Sequence, residues 1–166
     1  MIQENLALSL RIFFLIILQI VVFNNLNFFG IANPCFYMLY IILYRFNYKQ
    51  INFMLTSFFI GLILDILTQT AGSFTLSTLI ISFIRPVIIN FSFGIHSDQI
   101  SILSMNIRFK NKLTFILIVV FIHQFIMSFV EYFNFQMFYT ILKYTLINTI
   151  FTSIILIGSL SFFNKK

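Results

Sequence analysis

Charged side chains are scarce in this sequence. Asp, Glu, Lys and Arg together make up 8% of the 166 residues, whereas hydrophobic residues make up 60%. A soluble domain carries about 25% charged residues, because its surface faces water. The shortage of charge therefore excludes a soluble globular domain and predicts a protein whose surface mostly faces lipid.

Cysteine, proline and glycine are also rare. The single Cys35 excludes an intramolecular disulfide and a CxxC metal or redox motif. With two prolines and five glycines, the chain has no low-complexity linker, and no fixed-period repeat divides it. We therefore expect a single transmembrane domain over residues 1–166.

Apolar runs fill most of the chain, separated by short polar breaks. A run of about 20 apolar residues can cross the hydrocarbon core of a bilayer as a helix. The runs predict an all-α, polytopic integral membrane protein with six transmembrane helices, at residues 11–29, 33–48, 51–68, 74–91, 113–133 and 138–163. The first is expected to be a retained helix, not a cleaved signal, and the second is short for a span. Residues 92–112 are predicted to form an interfacial segment.

The positive charges lie at alternate breaks between these runs. Cytoplasmic loops carry an excess of Lys and Arg, so this pattern predicts that both termini are cytoplasmic. Eight of the ten basic residues follow it: Arg11, Arg45, Lys49, Arg108, Lys110, Lys112, Lys165 and Lys166. The net charge is +6, but the basic residues are scattered and form no clustered basic face. We therefore expect no nucleic acid partner.

Apart from the basic residues that set the topology, four charged side chains lie inside the apolar runs, where an unpaired charge is costly. Asp65 and Arg85 are predicted at depths that differ by less than about 10 Å, so they could form an ion pair. That pair would either fix the packing of the third and fourth helices or belong to a proton or ion site. Glu131 and Lys143 flank the last outer turn at similar depth and are also predicted to pair.

His123 lies near the middle of the fifth predicted helix, on one face with Met127 and Glu131. Zinc needs three or four protein ligands, so His123 is expected to form a hydrogen bond between helices instead. No Walker A, HExxH, GxSxG or Gly-rich dinucleotide motif is present. We expect neither an enzyme nor a bound metal or cofactor.

A stripe of tyrosines runs along the second predicted helix. Tyr37, Tyr40, Tyr44 and Tyr48 fall within about 90° of one another at 100° per residue. Such a stripe could contact a partner protein, or could lie at the membrane interface, where aromatic residues are common.

The region from Phe58 to Pro86 resembles the hallmark of a known family. Gly61 and Asp65 form a Gly-x-x-x-Asp sequence, followed by a small loop with Gly72 and by an apolar helix that contains Pro86. This arrangement resembles the MreD family of bacterial rod shape-determining membrane proteins, as does the length of the chain. Independently of the resemblance, the two glycines are expected to allow close helix approach and a tight turn.

The resemblance implies a non-enzymatic scaffold in the bacterial inner (cytoplasmic) membrane. Its expected partners are an MreC-like bitopic protein and, through it, an MreB-like filament and the enzymes that synthesise lateral peptidoglycan. Asp65, Arg85, Gly61 and Gly72 would then hold the fold, and the tyrosine stripe or the outer hairpins would meet partners.

Two other functions remain open from the sequence. The substrate-binding subunit of an energy-coupling-factor vitamin transporter also has six short helices, and Arg85, Glu131, Lys143 and His123 could line its ligand cavity. Against it stand the lack of an Ala-x-x-x-Ala docking surface and the short outer loops. A small channel is the third possibility, but the chain lacks the repeated acids of a filter.

Overall fold

Helices form every regular element in the described part of this computed structural model, which covers residues 2–25, 33–44, 50–94 and 108–163. They are α1 (Ile2–Leu18), α2 (Met38–Leu43), α3 (Gln50–Thr68), α4 (Ser73–Phe93), α5 (Phe109–Tyr132) and α6 (Phe138–Phe163). A π-helical turn, Gln19–Phe23, extends α1, and a 3₁₀ turn, Phe135–Met137, precedes α6.

Four of these helices are long and apolar enough to cross a membrane: α3, α4, α5 and α6 with its preceding 3₁₀ turn. A shorter apolar helix, Ser9–Phe23, joins them. A helix rises about 1.5 Å per residue, so some 20 residues match the roughly 30 Å hydrocarbon core.

Many large apolar side chains are exposed, unlike those of a soluble protein. On α6 the exposed face carries Leu146, Ile150 and Ile154, whereas Thr149 and Thr152 are buried. A surface in lipid selects apolar side chains, and small polar residues let helices meet closely in the interior. This distribution and the four long apolar helices indicate a helical membrane protein.

The long helices are antiparallel neighbours. Residues 69–72 reverse the chain between α3 and α4, where Gln69 (φ 56°) and Gly72 (φ 88°) adopt the left-handed conformation. Phe133 (φ 35°) does the same between α5 and α6. Both turns lie at one end of the bundle, which we call the hairpin end. At the opposite end, the rings of Phe93 and Phe115 are 5.6 Å apart and bring α4 to α5.

Pro86 interrupts the hydrogen bonding of α4 without ending the helix. Proline has no backbone N–H, so the carbonyl oxygen four residues earlier, that of Ser82, loses its helical donor. The side chain of Gln50, at the start of α3, supplies the missing hydrogen bond from Nε2 at 2.8 Å. The neighbouring helix α3 thus supplies the hydrogen bond that Pro86 removes from α4.

The observed helices differ from the predicted ones mainly at the N-terminal side. α3, α4 and α6 begin and end within two residues of the predictions, but α1 begins at Ile2, nine residues before the predicted Arg11. The prediction of a helix over residues 33–48 is wrong: α2 has only six residues and ends at Tyr44, whose ψ of 131° is extended. Tyr48 and most of the predicted interfacial segment, 92–112, lie outside the described residues.

Candidate functional site: a short buried helix and the adjoining polar cleft

The α2 helix lies inside the bundle and reaches neither lipid nor water along most of its length. Met38, Leu39, Tyr40, Ile41 and Ile42 are all buried. Six helical residues span only about 9 Å, far less than the hydrocarbon core. At membrane depth a helix end exposes unpaired backbone groups, which are tolerated only when neighbouring protein satisfies them.

Gln19, on the π-helical turn, forms hydrogen bonds with the free backbone groups at the N-terminal side of α2. Its Oε1 accepts hydrogen bonds from the backbone N–H groups of Phe36 at 2.6 Å and Tyr37 at 3.3 Å. Its Nε2 donates to the carbonyl oxygen of Pro34 at 3.1 Å and to Oδ1 of Asn24 at 2.8 Å. One buried side-chain amide therefore pairs three backbone groups of the segment that leads into α2.

Thr152 of α6 supports the same segment from the other side. Its Oγ1 accepts a hydrogen bond from the backbone N–H of Cys35 at 3.2 Å and another from Nε2 of Gln124 at 3.2 Å. The sulfur atoms of Cys35 and Met127 are 3.8 Å apart. Residues from α5 and α6 thus fix the position at which the chain enters α2.

Arg85 satisfies the C-terminal end of α2. Its Nη2 donates to the carbonyl oxygens of Tyr44 at 2.6 Å and Ile42 at 3.3 Å. The guanidinium also lies 5.2 Å from the ring centroid of Phe53 and 5.9 Å from that of Phe115, at cation–π distance. Carbonyl oxygens at a helix C-terminus carry partial negative charge, so they are suitable partners for a buried cation.

Asp65 has a different set of partners. Its two carboxylate oxygens accept hydrogen bonds from the backbone N–H groups of Phe74 at 3.1 Å and Thr75 at 2.8 Å. They also accept from the hydroxyls of Thr70 and Thr75. Gly72, which precedes α4, offers no side chain to cap the helix, so the carboxylate of α3 caps it instead.

The predicted Asp65–Arg85 ion pair is therefore wrong. Ten residues of α4, or about 15 Å, separate Thr75 at the Asp65 carboxylate from Arg85. The prediction assumed that the guanidinium reaches toward the hairpin end, but it turns to the free carbonyls of α2. A sequence does not reveal that a helix ends beside this arginine.

The described members of the tyrosine stripe, Tyr37, Tyr40 and Tyr44, face the interior, so they form neither a partner surface nor an interfacial belt. Tyr37 and Tyr40 are buried, and the hydroxyl of Tyr40 is 2.5 Å from Oγ1 of Thr56. Tyr44 is half-buried and stacks on Phe53 with a centroid distance of 4.3 Å. These three tyrosines instead pack α2 into the bundle.

The expected hydrogen bond between helices at His123 is confirmed. Nε2 of this buried side chain is 2.6 Å from the hydroxyl of Tyr37 on the short segment leading into α2. Nδ1 has no partner among the described residues. Within the same described ranges, no three His, Cys, Asp or Glu side chains lie close enough together to hold a metal ion.

Gly61 allows the close approach of α3 and α4 that was predicted. A Cβ at this position would lie 2.6 Å from Cα of Thr75 and 2.9 Å from the carbonyl oxygen of Phe74. Gly72 occupies a tight turn with positive φ, also as predicted. These two glycines and Asp65 all act on the same short hairpin.

Glu131 and Lys143 are both exposed and form no ion pair with each other, contrary to the prediction. Glu131 instead borders a cleft of about 160 Å³ at the hairpin end. The cleft is lined by residues from α1, the entry to α2, the α3–α4 turn and α5: Gln19, Asn24, Asn33, Cys35, Thr68, Thr70, Phe74, Met127 and Glu131. We call it the hairpin-end cleft.

Three contributors were missed by the sequence analysis, namely Gln19, Gln50 and Thr152. All three are uncharged polar residues within or beside apolar runs. An amide in a membrane span must also find hydrogen-bond partners, so these residues carried a usable signal.

Comparisons with known proteins do not add to these observations. No family model matches the chain, and no match was found among curated proteins or among solved structures.

Proposed function

We propose that this protein is a non-catalytic membrane scaffold of the bacterial cell-elongation machinery, of the MreD kind. The observation that carries the proposal is the α3–α4 hairpin. Gly61, Asp65 and Gly72, the residues on which the resemblance rests, each have a defined structural role there. A residue pattern that builds one hairpin is a stronger basis for a resemblance than a pattern of scattered positions.

The proposed topology has six passages through the inner membrane, with both termini in the cytoplasm. The path of the chain around α2 supports the additional passage. Asn33 lines the cleft at the hairpin end, whereas the carbonyl oxygen of Tyr44 contacts Arg85, twelve residues into α4. Residues 33–44 thus lead away from the hairpin end through a short helix instead of a full span.

In this role the protein would hold an MreC-like bitopic protein and, through it, an MreB-like filament and peptidoglycan synthases. The exposed apolar residues at the hairpin end, including Phe135 and Tyr139, offer contact area on the proposed outer side. Aromatic side chains supply much of the energy of protein interfaces and also sit well at a membrane surface.

The test is co-purification of the tagged protein from its native membrane, with photo-crosslinking residues placed at Phe135 or Tyr139. Ile150, on the exposed apolar face of α6, provides a matched control site. We expect a coiled-coil bitopic protein and wall-synthesis enzymes to crosslink at the hairpin end and not at the control site. Recovery of ATPase subunits or of a bound vitamin would overturn the proposal.

The existence of a cleft at the hairpin end would suit a second candidate function, the substrate-binding subunit of a vitamin transporter. Its size argues against that function: sites for drug-sized ligands usually measure about 300–1,000 Å³, whereas this cleft measures about 160 Å³. The same co-purification distinguishes the two functions.

A further inference from the structure

The charges around the hairpin-end cleft are of one sign. Glu131 is the single charged residue among those that line it, and Lys143 is not among them. The carboxylate is not neutralised by an ion pair with any described Lys or Arg, and it faces a space that water can enter. A carboxylate so placed attracts a cation.

Most polar side chains that line the cleft already form hydrogen bonds within the protein. The amides and hydroxyls of Gln19 and Thr70 are used in holding the fold. In contrast, the side-chain amide of Asn33 has no hydrogen bond with the described residues. The buried hydroxyl of Ser73 lies beside the Glu131 carboxyl and has no other partner in the described part of the chain. It therefore supports the carboxyl from behind and is not itself part of the cleft wall.

Asn24 and Thr68 add polar side chains to the remaining wall, and its other members are apolar and polarisable. Phe74 offers a ring, and Met127 and Cys35 offer sulfur atoms. An aromatic ring near a carboxylate is a frequent combination in sites for organic ammonium groups, because the ring face attracts positive charge. A metal ion would instead require several oxygen or nitrogen ligands at short distance.

The volume limits the size of the ligand. A cleft of about 160 Å³ is about half of the lower limit for drug-sized ligands, which is about 300 Å³. A primary ammonium on a two- or three-carbon chain fits this space, and the rest of a larger molecule such as a lipid would lie outside it.

We propose that the hairpin-end cleft binds a primary ammonium group, with the Glu131 carboxylate as its counter-ion and the Phe74 ring beside it. Two sources can supply this group: the headgroup of an aminophospholipid, or a small soluble amine. The proposal does not depend on the scaffold function, since it rests on the cleft and the residues that line it.

The test uses the full chain in nanodiscs of phosphatidylcholine and phosphatidylglycerol, with thermal unfolding as the readout. In one arm phosphatidylethanolamine replaces part of the phosphatidylcholine; in the other, ethanolamine is titrated from solution. We expect one arm to raise the melting temperature of the wild type, and the arm that does so identifies the source. No shift in either arm overturns the proposal.

Variants connect the effect to the cleft. Glu131→Gln removes the charge and should weaken apparent binding about tenfold or more, because a hydrogen bond to a charged group is lost. Phe74→Leu should weaken it less. Lys143→Gln is the control, an exposed residue outside the cleft, and should bind as the wild type does. Equal binding by wild type and both cleft variants overturns the proposal. If Glu131→Gln does not fold, Phe74→Leu and native mass spectrometry of retained lipid decide the question in the same way.

Discussion

The Nε2 atom of Gln50 donates a 2.8 Å hydrogen bond to the carbonyl oxygen of Ser82, the oxygen that Pro86 leaves without a helical donor. The two residues are on different helices, so the defect that proline creates in α4 becomes a contact with α3. This exchange illustrates how the bundle is held: polar groups left over in one segment are satisfied by side chains of the next.

Gln50→Leu is expected to destabilise the protein by about 1–3 kcal/mol, because the Ser82 carbonyl is left unsatisfied. In a Pro86→Ala background the helix supplies its own N–H, so the same substitution should cost much less. A double-mutant cycle of unfolding in detergent measures this difference. Gln136→Leu, at an exposed position of the hairpin end, should have little effect. Equal cost of Gln50→Leu in the two backgrounds would show that Gln50 does not compensate the proline.

Gly61→Ala is expected to force α3 and α4 apart. The nearest obstacles include backbone atoms of α4, at 2.6 Å for Cα of Thr75, and backbone cannot swing away. Overpacking of this kind costs about 1–3 kcal/mol. Gly158→Ala is the matched control, since nothing lies within 4 Å of its added Cβ. Thermal unfolding should separate the two variants, and similar melting temperatures would contradict the close packing.

Asp65→Asn and Arg85→Gln should destabilise the protein independently. Each removes charge-assisted hydrogen bonds, at about 1.5–3 kcal/mol. Because their partners differ, the double variant should show the sum of the two effects within about 0.5 kcal/mol. The charge swap Asp65→Arg with Arg85→Asp should not restore accumulation in the membrane. Rescue by the swap would re-establish the ion pair that the structure lacks.

Tyr37→Phe is expected to cost about 1–3 kcal/mol, because it leaves a buried imidazole nitrogen of His123 without its partner. Tyr139→Phe removes the same hydroxyl from a side chain that is 82% exposed, compared with 1% for Tyr37. Chemical unfolding in detergent should therefore distinguish the two variants. An unchanged free energy of unfolding in Tyr37→Phe would mean that the hydrogen bond adds nothing to stability.

The long helices could be predicted from the sequence, whereas the short one could not. Apolar runs bounded by polar breaks determine α3, α4 and α6, because burial of backbone hydrogen bonds in lipid leaves a long apolar segment little choice but a helix. The end of α2 at Tyr44 depends on Arg85, which is 41 residues away in sequence. The run of residues 33–48 itself contains no strong signal for that break.

The sequence identified many residues of the candidate site correctly, but it identified fewer of their contacts. His123, Gly61 and Gly72 act as expected, while Asp65 and Arg85 were identified but assigned to each other. Depth estimated from residue counts fixes a side chain's level in the bundle but not the direction in which it points. The cleft was not predicted, because it is formed by four separate parts of the chain.

The support of α2 by α1, α4 and α6 has a consequence for biogenesis. Nucleation of so short a helix is unfavourable without tertiary contacts, so α2 cannot form before its neighbours are assembled. Its formation is therefore a late event, after the long helices have been inserted. A defect at Gln19, Arg85 or Thr152 should accordingly leave insertion intact and prolong an immature state that membrane quality-control proteases can recognise.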